Sequence, residues 1–167
     1  MTASPHPAQA NVSPIAQAYA AADPAAAFRA IDAHAHAALA HTLCTVNRYD
    51  AQAMQVVRLY SSNPEAYPPG GSKDKRDTAW GRHVLLERKL FVGEGEDAIR
   101  EFFNDHDAIR RLGLRSVINV PVVYGEVCLG TVNFLMTRAA VSDADIQAAQ
   151  LAGLLALPAF QALRPQA

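Results

Sequence analysis

Two long apolar runs near the carboxyl-terminal end constrain the fold of this chain more than any other feature. The runs Arg115–Val123 and Val127–Thr137 flank a three-residue turn, which is the pattern of an antiparallel β-hairpin. In the second run, Val132 and Phe134 point to one face of the strand and Asn133 points to the other. A strand pair with one purely apolar face requires a covering layer, which we expect helices near the two ends of the chain to supply.

The remaining segments predict helices and further strands around this hairpin. The first half contains a helix over 24–41, then strands Leu43–Tyr49 and Gln55–Ser61, then a Pro/Gly-rich loop over 62–78. After the loop come a short helix over 79–88, a short strand Leu90–Val92 and an amphipathic helix Glu96–Leu112. A final helix follows the hairpin and runs from 143 toward 157. Asp23 is expected to cap the first helix, Ser142 with Asp145 the last, and Pro158 to kink or end the last.

This order predicts an α+β fold, because strands joined mostly by hairpins form an antiparallel sheet. We expect five to six strands, with the terminal helices on one face and the central helices and long loop on the other. The domain is predicted over 23–163, with a tail at 164–167. Alanine is concentrated toward the amino-terminal end, since 17 of the 33 alanines lie in the first 40 residues. Residues 1–22 are therefore expected to be disordered or weakly helical.

Charge and composition exclude several classes of protein. The net charge of −1 gives no electrostatic footprint for DNA or RNA. Two cysteines make neither a disulfide framework nor a zinc site, which favours a reducing cytoplasm. Residues 1–22 lack the basic start of a secretory signal. The uncharged stretch Ile146–Leu163 contains three glutamines, so we expect a packing helix and no membrane span.

The segment LGLRSVINVPVVYGEVCLGTVNFL, at 112–135, resembles the carboxyl-terminal hairpin of GAF domains. Arg115-Ser116, Val120-Pro121, Gly125, Leu129-Gly130 and Ser142-Asp143 fall at the positions of that pattern. The resemblance extends over about 24–163 and implies a GAF/PAS-like fold. It also implies a sensor of small molecules, often dimeric through its terminal helices, and in a few members an enzyme such as the free methionine-R-sulfoxide reductases.

The chain departs from the well-marked GAF subtypes. It lacks the NKFDE-type signature of the cyclic-nucleotide binders and a cysteine where bilin binders attach their chromophore. Cys44 and Cys128 lie inside predicted strands, and the reductases carry their cysteines in the central loops. We therefore expect a stand-alone GAF-like module with no cofactor, located in the cytoplasm and forming a homodimer through its terminal helices.

Strand alternation places a set of polar residues on one face of the sheet, under the central helices and the long loop. The set comprises Thr45, Asn47, Arg58, Tyr60, Asn119, Thr131 and Asn133. An apolar face with a few convergent polar groups is typical of a ligand pocket, although side chains that bond the neighbouring backbone would give the same pattern. Among them Arg58, Tyr60, Asn119 and Asn133 are the candidate ligand contacts, and Trp80 is a candidate cap.

His106 is the remaining candidate, because it shares the apolar face of the helix Glu96–Leu112. It would contact a ligand or, in an enzyme, act as general acid or base. The loop cations Lys73, Lys75 and Arg76 favour an anionic ligand unless the loop is simply solvated. His34, His36 and His41 are poorly spaced on a helix, so no metal is expected.

These patterns leave three functions open. The first is a sensor or regulatory module that binds a small polar metabolite, either neutral or anionic. The second is a small enzyme that uses His106. The third is a ligand-free module for protein interaction or dimerisation.

Overall fold

The computed structural model describes residues 11–164. Its helices are α1 (Ser13–Ala20), α2 (Pro24–Leu39), α3 (Gly95–Phe102), α4 (His106–Arg111) and α5 (Asp143–Ala162), with a π-helical turn at Gly81–Leu86. Its strands are β1 (Leu43–Asp50), β2 (Gln55–Ser61), β3 (Ser72–Asp74), β4 (Phe91–Glu94), β5 (Ser116–Tyr124) and β6 (Val127–Met136).

The six strands form one antiparallel sheet in the order β3-β2-β1-β6-β5-β4. The predicted carboxyl-terminal hairpin is its centre, because β6 pairs with β5 on one side and with β1 on the other. The predicted α+β class and strand number are confirmed. Strand β3 lies inside the segment predicted as a long loop, and it pairs with the edge of β2.

The sheet separates two apolar clusters, as strand alternation predicts. On one face Val132 and Phe134 of β6 pack with Phe28 and Ile31 of α2 and with Phe160 of α5. On the other face, a second cluster contains residues of the π-helical turn, α3 and α4 together with Leu43, Val117 and Leu135 of the sheet. The terminal helices therefore cover one face and the central elements cover the other.

Helix caps follow the sequence closely. The Asp23 side chain accepts a hydrogen bond of 3.0 Å from the Ala26 amide at the start of α2. Ser142 and Asp145 form a reciprocal capping box at the start of α5. Of the two predicted effects of Pro158, a kink or the end of the helix, the second is wrong, because α5 continues to Ala162.

Two other boundaries differ from the prediction. The single helix expected over Glu96–Leu112 is broken, because Phe103 takes an extended backbone and packs its ring 5.8 Å from that of Phe91. In the segment expected to be disordered or weakly helical, α1 buries Ile15 and Ala18 in the core. Residues 1–10 and 165–167 lie outside the described residues. Within the described range, the structure contains no helix long and apolar enough to cross a membrane.

Candidate functional site

A cavity of about 70 Å³ lies between the sheet and the central elements, on the face predicted to hold a pocket. Residues from β1, β2, β5 and β6 form its floor, and the 67–75 loop, Trp80 and the α3–α4 connection form its walls. Its apolar lining is Leu43, Val56, Phe103, Ile109, Val117 and Leu135. This volume holds a few water molecules, so the cavity suits a small ligand.

Two asparagines at the centre of the floor bond to each other. Asn119 Nδ2 donates to Asn133 Oδ1 over 2.7 Å, and Trp80 Nε1 donates to Asn119 Oδ1 over 2.9 Å. Asn133 Nδ2 in turn donates to the hydroxyls of Thr45 and Thr131. A buried amide is costly without partners, and here each amide finds them within the protein. The network therefore fixes the cavity floor and orients Trp80.

Arg58 and Tyr67 leave hydrogen-bonding capacity unused in the cavity wall. Arg58 extends beneath the Tyr67 ring, with its Cζ 5.1 Å from the ring centroid, and one guanidinium nitrogen donates to the Pro68 carbonyl. Within the described residues, Arg58 Nε and the Tyr67 hydroxyl are buried without a hydrogen-bond partner. Burial, and next the neighbouring Asp105 carboxylate, raise the pKa of Tyr67 to about 12, so the hydroxyl stays neutral and lies close to Asp105 without a hydrogen bond of regular geometry.

The charges that line the cavity are unbalanced. Arg58, Lys73 and Lys75 are positive, and Asp105 is negative. Lys73 Nζ lies 2.8 Å from Asp105 Oδ2, which ties the loop to the α3–α4 connection. Burial disfavours the Asp105 carboxylate, but the hydrogen bond and charge of Lys73 outweigh it and lower the pKa of Asp105.

Lys75 is the most perturbed of these cations. Its Nζ lies 4.6 Å from the centroid of the Trp80 ring. Burial, and next the neighbouring charge of Lys73, lower the pKa of Lys75 to about 8. A cation held in this way gains from any anion that enters beside it, because the anion offsets the lost hydration.

Comparison with solved structures identifies the architecture. The structure is similar to the GAF domain of the Acinetobacter phosphoenolpyruvate-protein phosphotransferase, with a TM-score of 0.70, 14% identity and 90% of each chain covered. It is also similar to a GAF domain of a two-component sensor histidine kinase from Bacillus halodurans, with a TM-score of 0.55, 11% identity and coverage of 69% of this chain and 80% of that chain. The chain has the GAF fold.

A third similar structure is the free methionine-R-sulfoxide reductase from Neisseria meningitidis in complex with its substrate. The TM-score is 0.68 and the identity 16%, with 96% of this chain and 93% of that chain covered. Neither a family model nor a curated protein matches the sequence. The likeness to these structures is one of fold, and the predicted GAF resemblance is confirmed at that level.

Within this GAF fold, the structure brings Arg58, Trp80, Asn119 and Asn133 together around the cavity. Tyr60, predicted to join them, lies on the opposite face. The cause is a bulge, because Arg58 pairs with Asn47 but Tyr60 pairs with Val46, which leaves one extra residue between them. The alternation reverses at that residue, and Tyr60 packs against the helical layer.

His106 also lies outside the cavity of the GAF fold. The break in the predicted helix places it at the start of α4, beside a separate pocket with Glu96 and Arg110. Its Nδ1 is 3.4 Å from a carboxylate oxygen of Asp107, and its side chain is 36% exposed. The expectation that His106 faces the same pocket as the sheet residues is therefore wrong.

Sequence reasoning missed Asp105 as a cavity residue. The prediction of one continuous helix over Glu96–Leu112 does not turn this residue toward the cavity. The break after Phe102 turns Phe103 and Asp105 toward the cavity and His106 away from it. No local signal such as glycine or proline marks the break, which accompanies the packing of the half-buried Phe103 ring against Phe91.

Proposed function

We propose that this chain is a sensory or regulatory module that binds a small, polar, anionic molecule in the cavity of its GAF fold. The likeness to a GAF domain of a sensor histidine kinase supports the sensory role. The observation that carries the ligand class is Arg58 Nε, a buried donor without a partner, and the Tyr67 hydroxyl beside Asp105 is a second donor at the same wall. Buried donors without partners cost free energy, and an anion that accepts from both would recover it.

The cavity chemistry limits what this molecule is. Three cations face one carboxylate, so a ligand with one or two negative charges neutralises the site. The aromatic and aliphatic lining opposite the cations suits a short apolar portion. A small carboxylate satisfies both conditions, with its oxygens toward Arg58 and Tyr67 and its carbon skeleton toward Phe103 and Val117. A larger ligand requires the 67–75 loop to move.

A thermal-shift screen of small mono- and dicarboxylates, with inorganic phosphate and neutral amides included, tests this proposal. At least one carboxylate should stabilise the wild-type protein, and the neutral amides should not. Tyr67→Phe keeps the ring and removes only the unpartnered hydroxyl, so it should weaken the binding of that carboxylate about 5–10-fold. Arg115→Gln removes an exposed arginine outside the cavity and serves as the control.

The alternatives give different results. The binding proposal fails if no anion stabilises the protein. It also fails if the anions that stabilise the wild type stabilise Arg58→Gln equally. Either result favours a ligand-free interaction module. Native mass spectrometry of the protein purified from its own host adds a second readout. A retained small anion would support the proposal and reveal its mass.

The enzyme alternative has less support. Cys44 and Cys128 lie in separate apolar clusters, on opposite faces of the sheet. Burial raises the pKa of the Cys128 thiol to about 11 and that of Cys44 well above its usual value. Neither thiol is therefore a ready nucleophile at neutral pH. His106, the candidate acid or base, lies at a separate pocket.

We also propose that the module forms a homodimer through its helical layer. On α5, Leu154 is 70% exposed and Leu151 is 46% exposed, although both lie on a helix whose other face is buried. A partner helix packed on them would remove this apolar surface from water. Sedimentation velocity should show a dimer that Leu154→Asp converts to a monomer. Leu86→Asp, at an exposed leucine on the other face, should leave the dimer unchanged.

A further inference from the structure

A second cluster of chemically active side chains lies on the face of the sheet opposite the cavity. It contains Asp32 from α2, His41 from the turn after that helix, and Cys44 from β1. One ligand atom from each of the three residues lies within 4.8 Å of the others. Carboxylate, imidazole and thiolate groups at such distances are the ligands that zinc prefers.

The end of α2 creates this cluster. Ala40 takes a left-handed backbone with φ of 46°, which stops the helix and turns the chain back on itself. His41 therefore lies over the last turns of α2, with Nε2 2.5 Å from Asp32 Oδ1 and its ring centroid 5.0 Å from that of His36. The prediction of no metal site treats His34, His36 and His41 as residues of one continuous helix. Because α2 ends before His41, that spacing argument does not apply to His41.

The cluster is buried. The His41 side chain is 2% exposed and that of Asp32 is 13% exposed. With Nε2 held by Asp32, the other ring nitrogen, Nδ1, is buried without a partner inside the described chain. The Tyr60 hydroxyl donates to Asp32 Oδ2 over 2.6 Å and so fixes the carboxylate from the far side. A metal ion at Nε2 leaves the ring proton on Nδ1, so the case for a metal rests on the three ligand atoms gathered here and not on Nδ1.

We propose that Asp32, His41 and Cys44 bind a divalent zinc ion. Cys44 releases its thiol proton to solvent and binds as the thiolate, so that two anionic ligands neutralise the ion in its buried site. Zinc requires the Asp32 and His41 ligand atoms to be about 3.3 Å apart, so their present hydrogen bond gives way to two metal–ligand bonds. The fourth position belongs to water.

An open cleft beside the cluster provides access for the ion and the water. Its lining includes Asp32 and His41 of the cluster, together with Tyr60 and Arg29. Arg29 is the one cation among these residues apart from any protonated histidine. Three protein ligands with one position open to water are the arrangement of catalytic zinc sites, whereas structural sites are closed by four protein ligands. This site is independent of the proposed anion site, which lies across the sheet.

Titration of the full chain with Co²⁺ tests the proposal, because cobalt occupies zinc sites and a cobalt–thiolate bond absorbs in the near ultraviolet. We expect one Co²⁺ per chain with a thiolate-to-cobalt band that one equivalent of Zn²⁺ removes. Cys44→Ala should abolish the band, and Cys128→Ala, which removes the other buried thiol, should retain it. His41→Gln should weaken cobalt binding at least about 10-fold, and His34→Gln should not change it.

X-ray absorption of the zinc-loaded wild-type protein provides a second test. It uses no variant, so a misfolded variant cannot affect its result. One sulfur and about three lighter ligands should surround the zinc. A shell of nitrogen and oxygen alone, a cobalt band that persists in Cys44→Ala, or no metal retained after equilibrium dialysis against micromolar Zn²⁺ would each overturn the proposal. Carboxylate binding in the cavity is measured separately with Tyr67→Phe, so failure of one site leaves the other intact.

Discussion

Asn119 and Asn133 lie opposite each other on β5 and β6, and the Nδ2 of Asn119 donates a 2.7 Å hydrogen bond to the Oδ1 of Asn133. Asn119→Ala removes this donor and also the acceptor of Trp80 Nε1. Two buried polar groups then lose a partner, so we expect a loss of about 2–4 kcal/mol in the free energy of unfolding. Urea denaturation followed by far-UV circular dichroism measures it. The control, Asn104→Ala at an exposed position, should change stability by less than about 0.5 kcal/mol.

Trp80→Phe tests the same network from the other side. It keeps an aromatic ring against the cavity but removes the indole N–H, so the Asn119 oxygen loses one donor. The expected cost is about 1–2 kcal/mol. In the Asn119→Ala background the same substitution should cost less, because the acceptor is already absent. Strict additivity in this double-mutant cycle would show that the 2.9 Å hydrogen bond contributes nothing to stability.

The lowered pKa of Lys75 makes a prediction about stability and pH. The folded protein releases this proton near pH 8, whereas the unfolded chain keeps it until about pH 10.5. Between these values the unfolded state binds more protons, so the contribution of Lys75 to stability rises with pH. The free energy of unfolding of the wild type, minus that of Lys75→Met, should therefore increase from pH 8 to pH 10. A difference that stays constant over this range would contradict the proposed burial of the ammonium group.

Strand alternation was sufficient to predict the two faces of the sheet. Val132 and Phe134 lie on the helical side and Asn133 on the cavity side, because period-two alternation holds along a regular strand. The helix caps at Asp23 and Ser142 were equally readable, since both depend on side chains within three residues. Local patterns thus determine the element order and the composition of the cavity floor.

The predictions of side-chain direction and helix bounds are wrong where packing between distant segments interrupts the regular repeat of a strand or helix. A bulge reverses the alternation between Arg58 and Tyr60, so only Arg58 reaches the cavity. Packing of the half-buried Phe103 ring accompanies a break in a pattern that looks like one continuous helix, and His106 then points elsewhere. The left-handed turn at Ala40 is similar, since no glycine or asparagine marks it in the sequence. Each of these depends on contacts with residues that are distant in the chain.

Gly153 on α5 tests how closely the helical layer lies on the sheet. A Cβ at this position would be 2.7 Å from Cγ1 of Val120 on β5, which is closer than two non-bonded carbon atoms can lie without strain. Alanine in place of glycine favours a helix by about 1 kcal/mol, whereas overpacking beside a stiff β-branched side chain costs about 1–3 kcal/mol. Gly153→Ala should therefore lower the free energy of unfolding by up to about 2 kcal/mol in urea denaturation. Adding Val120→Ala should remove the clash, so that the double variant loses less than the sum of the two single losses. A Gly153→Ala protein more stable than the wild type would mean that α5 can move away from β5 without cost.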